Sequence, residues 1–210
     1  MTDPDFSLEE ELIAQGYLRV AGVDEVGRGP LAGPVTAAAV ILDPKAIPTG
    51  LNDSKKLTSR VRERLADHIA ARAEVAIAHA SVEEIDRINI LRASHLAMAR
   101  AVAALTPAPD YLLIDGNMLP TGLTIPAQAV IKGDARSVSI SAASIVAKIC
   151  RDRIMVDLAQ QHPGYGWETN AGYPSKSHKE ALRNLGVTPH HRRSFKPVHN
   201  ILYQEKSVTS

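Results

Sequence analysis

The chain is poor in cysteine, in aromatic rings and in long apolar runs. Cys150 is its one cysteine, so no disulfide can close within the chain, and a reducing compartment fits. Aromatic residues make up 4% of the 210, which leaves Ala, Val, Ile and Leu to supply most of a core. No apolar stretch approaches the length of a membrane span. Met1 to Leu12 carries five acids and no base, the wrong chemistry for a signal or transit peptide. The expectation is a cytoplasmic protein with no membrane partner. Repeats, low-complexity segments, a Gly-x4-Gly-Lys-Ser/Thr loop and a Gly-x-Ser-x-Gly elbow are also missing.

What is present is ordinary in bulk and uneven in place. The length suits one large domain, or one domain with a small appendage. The formal charge of +1 hides a division. Residues 1–131 hold 12 Lys/Arg against 17 Asp/Glu, whereas residues 132–196 hold 11 against 5. A basic C-terminal third suits a polyanionic partner. The alternative is a solvated basic surface, because a sum over sequence does not show clustering in space.

The periodicities predict a mixed α/β domain. Ser7-Leu8-Glu9-Glu10 and Ser81-Val82-Glu83-Glu84 match capping boxes. Strands are expected over Leu18–Val23, Val35–Leu42, Glu74–Ala80, Tyr111–Asp115 and Ala127–Ile131. Helices are expected over Ser59–Ala73, from the second capping box to before Pro107, and over Ser139–Gln161. Met98 lies on an apolar stripe and reads as core. Beyond Pro163 the periodicity is weak, and Gln204–Ser210 reads as a frayed end.

Three acidic points fall at ends of these strands: Asp24-Glu25, Asp115 and Asp134. Ligand sites of open sheets form at such ends. A single Asp after a strand is more often a turn former or cap, so only the joint placement points to function. Four carboxylates brought together would repel unless cations neutralised them, and all-oxygen sites favour Mg²⁺ or Mn²⁺. Asp152, between Arg151 and Arg153 in mid-helix, reads instead as a surface ion-pair partner. The pair His190-His191 lacks the cysteines or helical spacing of a zinc site, and Cys150 reads as packing.

The acidic pair is followed by Gly27-Arg28-Gly29, a turn that lets backbone approach a phosphodiester closely. Gly27 to Ala32 formally matches a dinucleotide-binding fingerprint. That motif must open a helix, and here Gly33-Pro34 and a strand-like run follow. Acids before the turn would also repel pyrophosphate unless a metal intervened.

The stretch Gly22 to Pro34 resembles the signature of type 2 ribonuclease H, the bacterial ribonuclease HII family. Asn52-Asp53-Ser54-Lys55-Lys56-Leu57, Ile114-Asp115-Gly116-Asn117 and Lys132-Gly133-Asp134 are similar to its further blocks. So are Ser141 to Lys148, Arg151-Asp152-Arg153, Gly172-Tyr173 and His191-Arg192-Arg193-Ser194-Phe195. The resemblance implies an RNase H-like mixed central sheet flanked by helices, with a C-terminal helical extension. It divides the chain into an N-terminal helical segment (1–16), a catalytic core (17–162), a basic substrate-binding extension (163–203) and a tail (204–210). It implies endonucleolytic cleavage of RNA in RNA–DNA hybrids and incision 5′ of single ribonucleotides in duplex DNA. Two-metal hydrolysis with Mg²⁺ or Mn²⁺ would leave 3′-hydroxyl and 5′-phosphate ends.

By motif match, Asp24, Glu25, Asp115 and Asp134 are the active-site and metal carboxylates. Gly27, Arg28 and Gly29 read the ribose 2′-hydroxyl, and Tyr173 stacks on the next deoxyribose. Lys55, Lys56, Arg192 and Arg193 are candidates for phosphate contact; for at least one lysine, surface solubility is the alternative. A monomer is expected, and a sliding clamp or repair partner is left open. Two other classes stay in view: a silent nucleic-acid-binding module, and a two-metal nuclease indifferent to ribose.

Overall fold

The structure is a computed structural model that describes residues 3–203. The expected frayed end, Gln204–Ser210, lies outside the described residues. A five-stranded sheet forms the centre, in the order β3 (Ala73–Ala80), β2 (Val35–Leu42), β1 (Val20–Val26), β4 (Tyr111–Asp115), β5 (Ala127–Val130). β1, β2 and β3 pair antiparallel, and β4 and β5 join β1 in parallel. Helices cover both faces, so the sheet is mixed and buried on both sides.

The composition of β2 shows why. Its sequence Val-Thr-Ala-Ala-Ala-Val-Ile-Leu is buried throughout, and small Ala37, Ala38 and Ala39 let helices settle closely on either face. One face packs against α4 (Ile90–Ala103), whose Ala93, Ala97, Ala101, Met98 and Val102 recur at helical spacing. The other face packs against α2 (Ser59–Arg72) and α5 (Val138–Gln161) through Leu65, Ile69, Ala142, Ile145 and Ile149. α1 (Ser7–Ala14) adds Leu12 to a small cluster with Val20, Leu113 and Ile140.

Two local expectations need correction. Ser7 does not cap α1: Phe6 occupies the cap position, and the Ser7 hydroxyl and N–H donate to Asp5. The helix predicted to run on from Ser81 is two helices, α3 (Val82–Ile88) and α4. Asn89 divides them with φ +67°, and its side chain accepts from the N–H groups of Leu91 and Arg92, so it caps the second helix. The Ser81 box itself forms: its hydroxyl accepts from Glu84 N–H, and Glu84 Oε2 accepts from Ser81 N–H.

α6 (Trp167–Asn170), α7 (Lys176–Leu185) and α8 (Lys196–Tyr203) form the C-terminal part. They are stitched to the loop between β1 and β2: Leu31 N–H donates to Gly172 O at 2.7 Å, and Arg192 N–H donates to Leu31 O at 2.8 Å. Trp167, the chain's one tryptophan, is fully buried beneath them against Tyr165 and Met155.

Candidate active site

Register brings the first two acidic points together. β1 and β4 run parallel with Val23 opposite Ile114, so Asp24 and Asp115 stand at the same height. Asp115 ends β4, but β1 runs on to Val26, so Asp24 and Glu25 lie within the strand, paired with Ala38 and Ala37 of β2, rather than beyond its expected end at Val23. β5 continues the edge: Val130 pairs with Asp115, and a 3₁₀ turn, Gly133–Ala135, follows at once. Gly133 N–H donates to Asp115 Oδ1 at 2.7 Å, which ties Asp134's turn to Asp115.

The side of the sheet that Asp24 occupies is set by a glycine. A Cβ on Gly22 would lie 2.1 Å from the backbone carbon of Ser139, so only glycine lets α5 approach β1 here. Side chains alternate along a strand, which puts Asp24 on the same face as Gly22. Two strand residues rise about 6.8 Å and five helical residues about 7.5 Å. The close approach at Gly22 and Ser139 therefore brings Asp24 level with Ser144. Ser144 lines one cleft with Asp24, and its hydroxyl lies 3.0 Å from that of Ser54.

The acids are left electrically unresolved. Burial raises Asp24 well above the ordinary aspartate range, and the charges of Glu25 and Asp115 raise it further. Burial also raises Glu25, against the pull of Arg28, whose guanidinium lies 3.2 Å away. Asp134 is raised by burial, then by Asp115 and Asp53. Burial lowers Lys55, but Asp53, Asp134, Asp24 and Asp115 outweigh it and the ammonium is raised overall.

Asp24, Glu25 and Asp115 share a cleft of about 210 Å³ with Gly27, Arg28, Gly29, Lys55 and Tyr173. Asp134 does not line it, although it shares the field of Asp115. A larger cleft of about 460 Å³ beside α2 and α5 mixes Arg62, Lys148 and Arg153 with Glu63, Asp152 and Asp157. Size alone therefore does not mark the site. Among the described residues, no three His, Cys, Asp or Glu side chains close tightly enough to form a finished ion cage.

Across the cleft, two buried arginines brace the backbone. Arg151 donates to the carbonyls of Pro34, Ala171 and Ala32. Arg192 donates to those of Gly33, Arg28, Gly27 and Pro34. Both are fully buried. Arg192 therefore cannot reach a phosphate, and its expected contact is corrected to a clamp on the Gly27-Arg28-Gly29 turn. Gly27 has φ +94°, and a Cβ there would meet Arg151 Nε at 2.2 Å. Tyr173 stands 41% exposed beside Gly29. Lys55, Lys56 and Arg193 are exposed, with Arg193 N–H donating to Asp86. Asp152 pairs with Lys148 at 2.8 Å, as a surface partner should.

The family model for Ribonuclease HII matches residues 21–198, a span that holds every one of these groups. The chain belongs to the ribonuclease HII family. It is 77% identical over 205 residues to Ribonuclease HII of Ruegeria pomeroyi, covering 98% of this chain and 88% of that one. It is 68% identical to the Paracoccus denitrificans protein of the same name, over the whole of both chains. Among solved structures, ribonuclease H2 from Pyrococcus horikoshii superposes with TM-score 0.75 at 30% identity, over 88% of this chain and 97% of that one. RNase HII in its PCNA complex from Archaeoglobus fulgidus gives 0.73 at 25% identity, over 85% and 96%. Bst-RNase HIII with Mn²⁺ shares the fold, with TM-score 0.72 at 22% identity over 90% and 71%. Membership makes the chain a metal-dependent hydrolase that cuts RNA in RNA–DNA hybrids.

The donor set of this ribonuclease HII family member fits such a metal. All candidate ligands are carboxylate oxygens, and their charge exceeds what Arg28 and Lys55 supply nearby. Hard divalent cations take that environment. Three contributors escaped the sequence reading. Ser144 and Arg151 carry no local signal of a role, the first inside an apolar helix and the second beside Asp152 in an alternating run of charges. His178, in the stretch of weak periodicity, had no signal beyond its type. Only the fold shows what they touch.

Proposed function

We propose that this member of the ribonuclease HII family also incises 5′ of single ribonucleotides embedded in duplex DNA, by two-metal hydrolysis at Asp24, Glu25, Asp115 and Asp134. The observation that carries the reading is the shared cleft, in which crowded acids face the Gly27-Arg28-Gly29 turn and Tyr173. Bound Mg²⁺ or Mn²⁺ would supply an activated water and stabilise charge on the leaving oxygen, giving 3′-hydroxyl and 5′-phosphate ends.

The chain's own groups hold and select the substrate. Asp24 and Asp115, at one height on adjacent strands, would be the most direct metal ligands, with Asp134 in the field of Asp115. Arg192 occupies the carbonyls of Gly27 and Arg28, which leaves the turn's N–H groups to the substrate. A 2′-hydroxyl is the one group that separates RNA from DNA locally. The exposed ring of Tyr173 would lie against the deoxyribose that follows and favour an RNA-to-DNA junction. Lys55, Lys56 and Arg193 would meet phosphates, making binding weaken with salt.

On this reading residues 17–162 are the catalytic core, behind the helical segment 1–16. Residues 163–203 are the substrate-binding extension, ahead of the tail 204–210. Every group comes from one chain, so a monomer suffices. The PCNA complex of the Archaeoglobus RNase HII supports adding a clamp of that kind as a partner. The test is a duplex carrying one ribonucleotide, incubated with Mg²⁺ or Mn²⁺. A cut 5′ of the ribonucleotide, with an all-DNA duplex left intact, is the expected result. Equal cutting of both duplexes would point to a nuclease indifferent to ribose, and no cut in either metal would overturn the proposal.

A further inference from the structure

Behind Tyr173 lies a buried pair of histidines outside the carboxylate site. His178, on α7, and His191 are both fully buried, with their Nε2 atoms 3.2 Å apart. Trp167 Nε1 donates to His178 Nε2 at 3.0 Å. His178 Nδ1 lies 2.9 Å from the Tyr173 carbonyl. Thr188 N–H lies 3.0 Å from His191 Nδ1.

The partners fix both tautomers. An indole N–H can only donate, so His178 Nε2 carries a lone pair and its proton sits on Nδ1. A backbone carbonyl can only accept, so His178 Nδ1–H donates to Tyr173 O. A backbone N–H can only donate, so His191 Nδ1 accepts from Thr188 and its proton sits on Nε2. His191 Nε2–H then points at the same His178 lone pair that Trp167 uses. The four assignments agree, with the single lone pair of His178 Nε2 shared between its two donors and the Thr188 hydroxyl, 2.9 Å from His191 Nδ1, also turned to donate to that nitrogen. Burial lowers both imidazoles, His191 to about 3, which fits two neutral rings.

The chain of bonds ends on the backbone of the exposed tyrosine, and it starts beside the clamp on the glycine turn. His191 is followed at once by Arg192, which holds the carbonyls of Gly27 and Arg28. Tyr173 O also accepts from Ser175 N–H at 2.8 Å, and Tyr173 N–H donates to Asn170 O at 2.9 Å. The ring itself is half in water, so its position depends on how firmly its backbone is held.

We infer that His178 is a positioning residue: its Nδ1–H on the Tyr173 carbonyl sets where the Tyr173 ring stands beside Gly29, and Trp167 and His191 hold the tautomer that makes this bond. The segment His191-Arg192 thereby ties the tyrosine and the Gly27-Arg28-Gly29 turn to one fixed spacing. The inference rests on Tyr173 reading the sugar after the ribonucleotide.

Two amides separate the role from simple packing. An asparagine side chain is smaller than the imidazole ring, but its amide can stand where Nδ1–H stood; a glutamine amide stands nearer Nε2. His178→Asn therefore keeps the bond to Tyr173, while His178→Gln keeps only the contacts to Trp167 and His191. The readout is kcat and KM on a single-ribonucleotide duplex and on an RNA–DNA hybrid, with thermal unfolding of every variant. H178Q should lower the junction-to-hybrid ratio of kcat/KM roughly tenfold, the worth of about one hydrogen bond. H178N should retain the ratio even if it unfolds at lower temperature. Combined with Tyr173→Ala, H178Q should lower the ratio no further than Tyr173→Ala does alone.

Equal effects of H178N and H178Q, or additive effects in the double variant, would overturn the inference. A Tyr173→Ala variant with an unchanged ratio would instead sink the reading of Tyr173 itself. Nitrogen-15 shifts of the wild-type rings test the relay whatever the variants do. They should show His178 protonated on Nδ1 and His191 on Nε2 at neutral pH; the opposite tautomer on His178 contradicts it.

Discussion

The carboxylate ends of β1 and β4 and the braced turn across the cleft treat buried charge in opposite ways. At the carboxylates, burial raises Asp24, Glu25 and Asp134, and Arg28 beside Glu25 and Lys55 beside Asp134 offset only part of that rise. At the turn, two fully buried guanidiniums spend their donors on named carbonyls, and two buried imidazoles satisfy one another. A group that must receive an ion is left wanting one, whereas a group that must hold a shape is given every partner. The first region stores repulsion and the second removes freedom.

Removing one acid should give the largest effect and act in opposite senses on rate and stability. Asp24→Asn should reduce hybrid cleavage by on the order of 10³-fold, since several kcal/mol of charge stabilisation is lost. The same change should raise the melting temperature of the metal-free protein, because a raised carboxylate is one whose charge disfavours the fold. A thermal scan in chelator beside a cleavage assay reads both signs; a lower melting temperature would break the comparison.

Gly22→Ala tests the geometry beneath the acids. The new Cβ would meet rigid helix backbone at 2.1 Å, so a loss of about 3 kcal/mol in urea unfolding is expected. In the braced region, Arg192→Lys should cost about 2 kcal/mol, since one ammonium cannot meet carbonyls spread across Gly27, Arg28, Gly33 and Pro34. An unchanged unfolding midpoint would mean the clamp is dispensable.

The most gradual effect is on pH. Burial, then the neighbouring histidines, lower His191 to about 3 in the fold, against an ordinary value near 6.5. Above pH ~6.5 the ring is neutral in folded and unfolded chains, and it leaves stability unchanged. As pH falls from there towards 3, the unfolded chain takes up a proton that the folded chain refuses, so stability declines. Unfolding midpoints measured across that window should fall, and should fall less in His191→Gln.

Much of this contrast was legible in residues that carry a local signal. Alternation and apolar runs placed all the strands to within a few positions, and strand ends pointed to Asp24, Glu25 and Asp115. Asp134 follows β5 as the sequence indicates, but the 3₁₀ turn that carries it, tied to Asp115 through Gly133 N–H, has no local signal. Asn89 was missed because an apolar stripe runs on across it, while its side chain and positive φ stop one helix and start another. Arg192 was misjudged because a charged residue in a basic run reads as surface. Its burial follows from carbonyls about 160 residues away in sequence, which no window on the chain can show. His178 was invisible for the same reason: its meaning lies in Trp167, His191 and Tyr173 together.

The central claim is that the crowded acids are a charge-frustrated site relieved by a divalent cation. Melting temperature against Mn²⁺ concentration, for the wild-type protein and for Asp24→Asn without substrate, tests it most directly. A ligand that binds only the fold stabilises it, by about 2.7 kcal/mol at a hundred times its dissociation constant. The account predicts a low metal-free melting temperature that rises with Mn²⁺ in the wild type, and a higher one that barely responds in Asp24→Asn. Equal rises in the two proteins would contradict it.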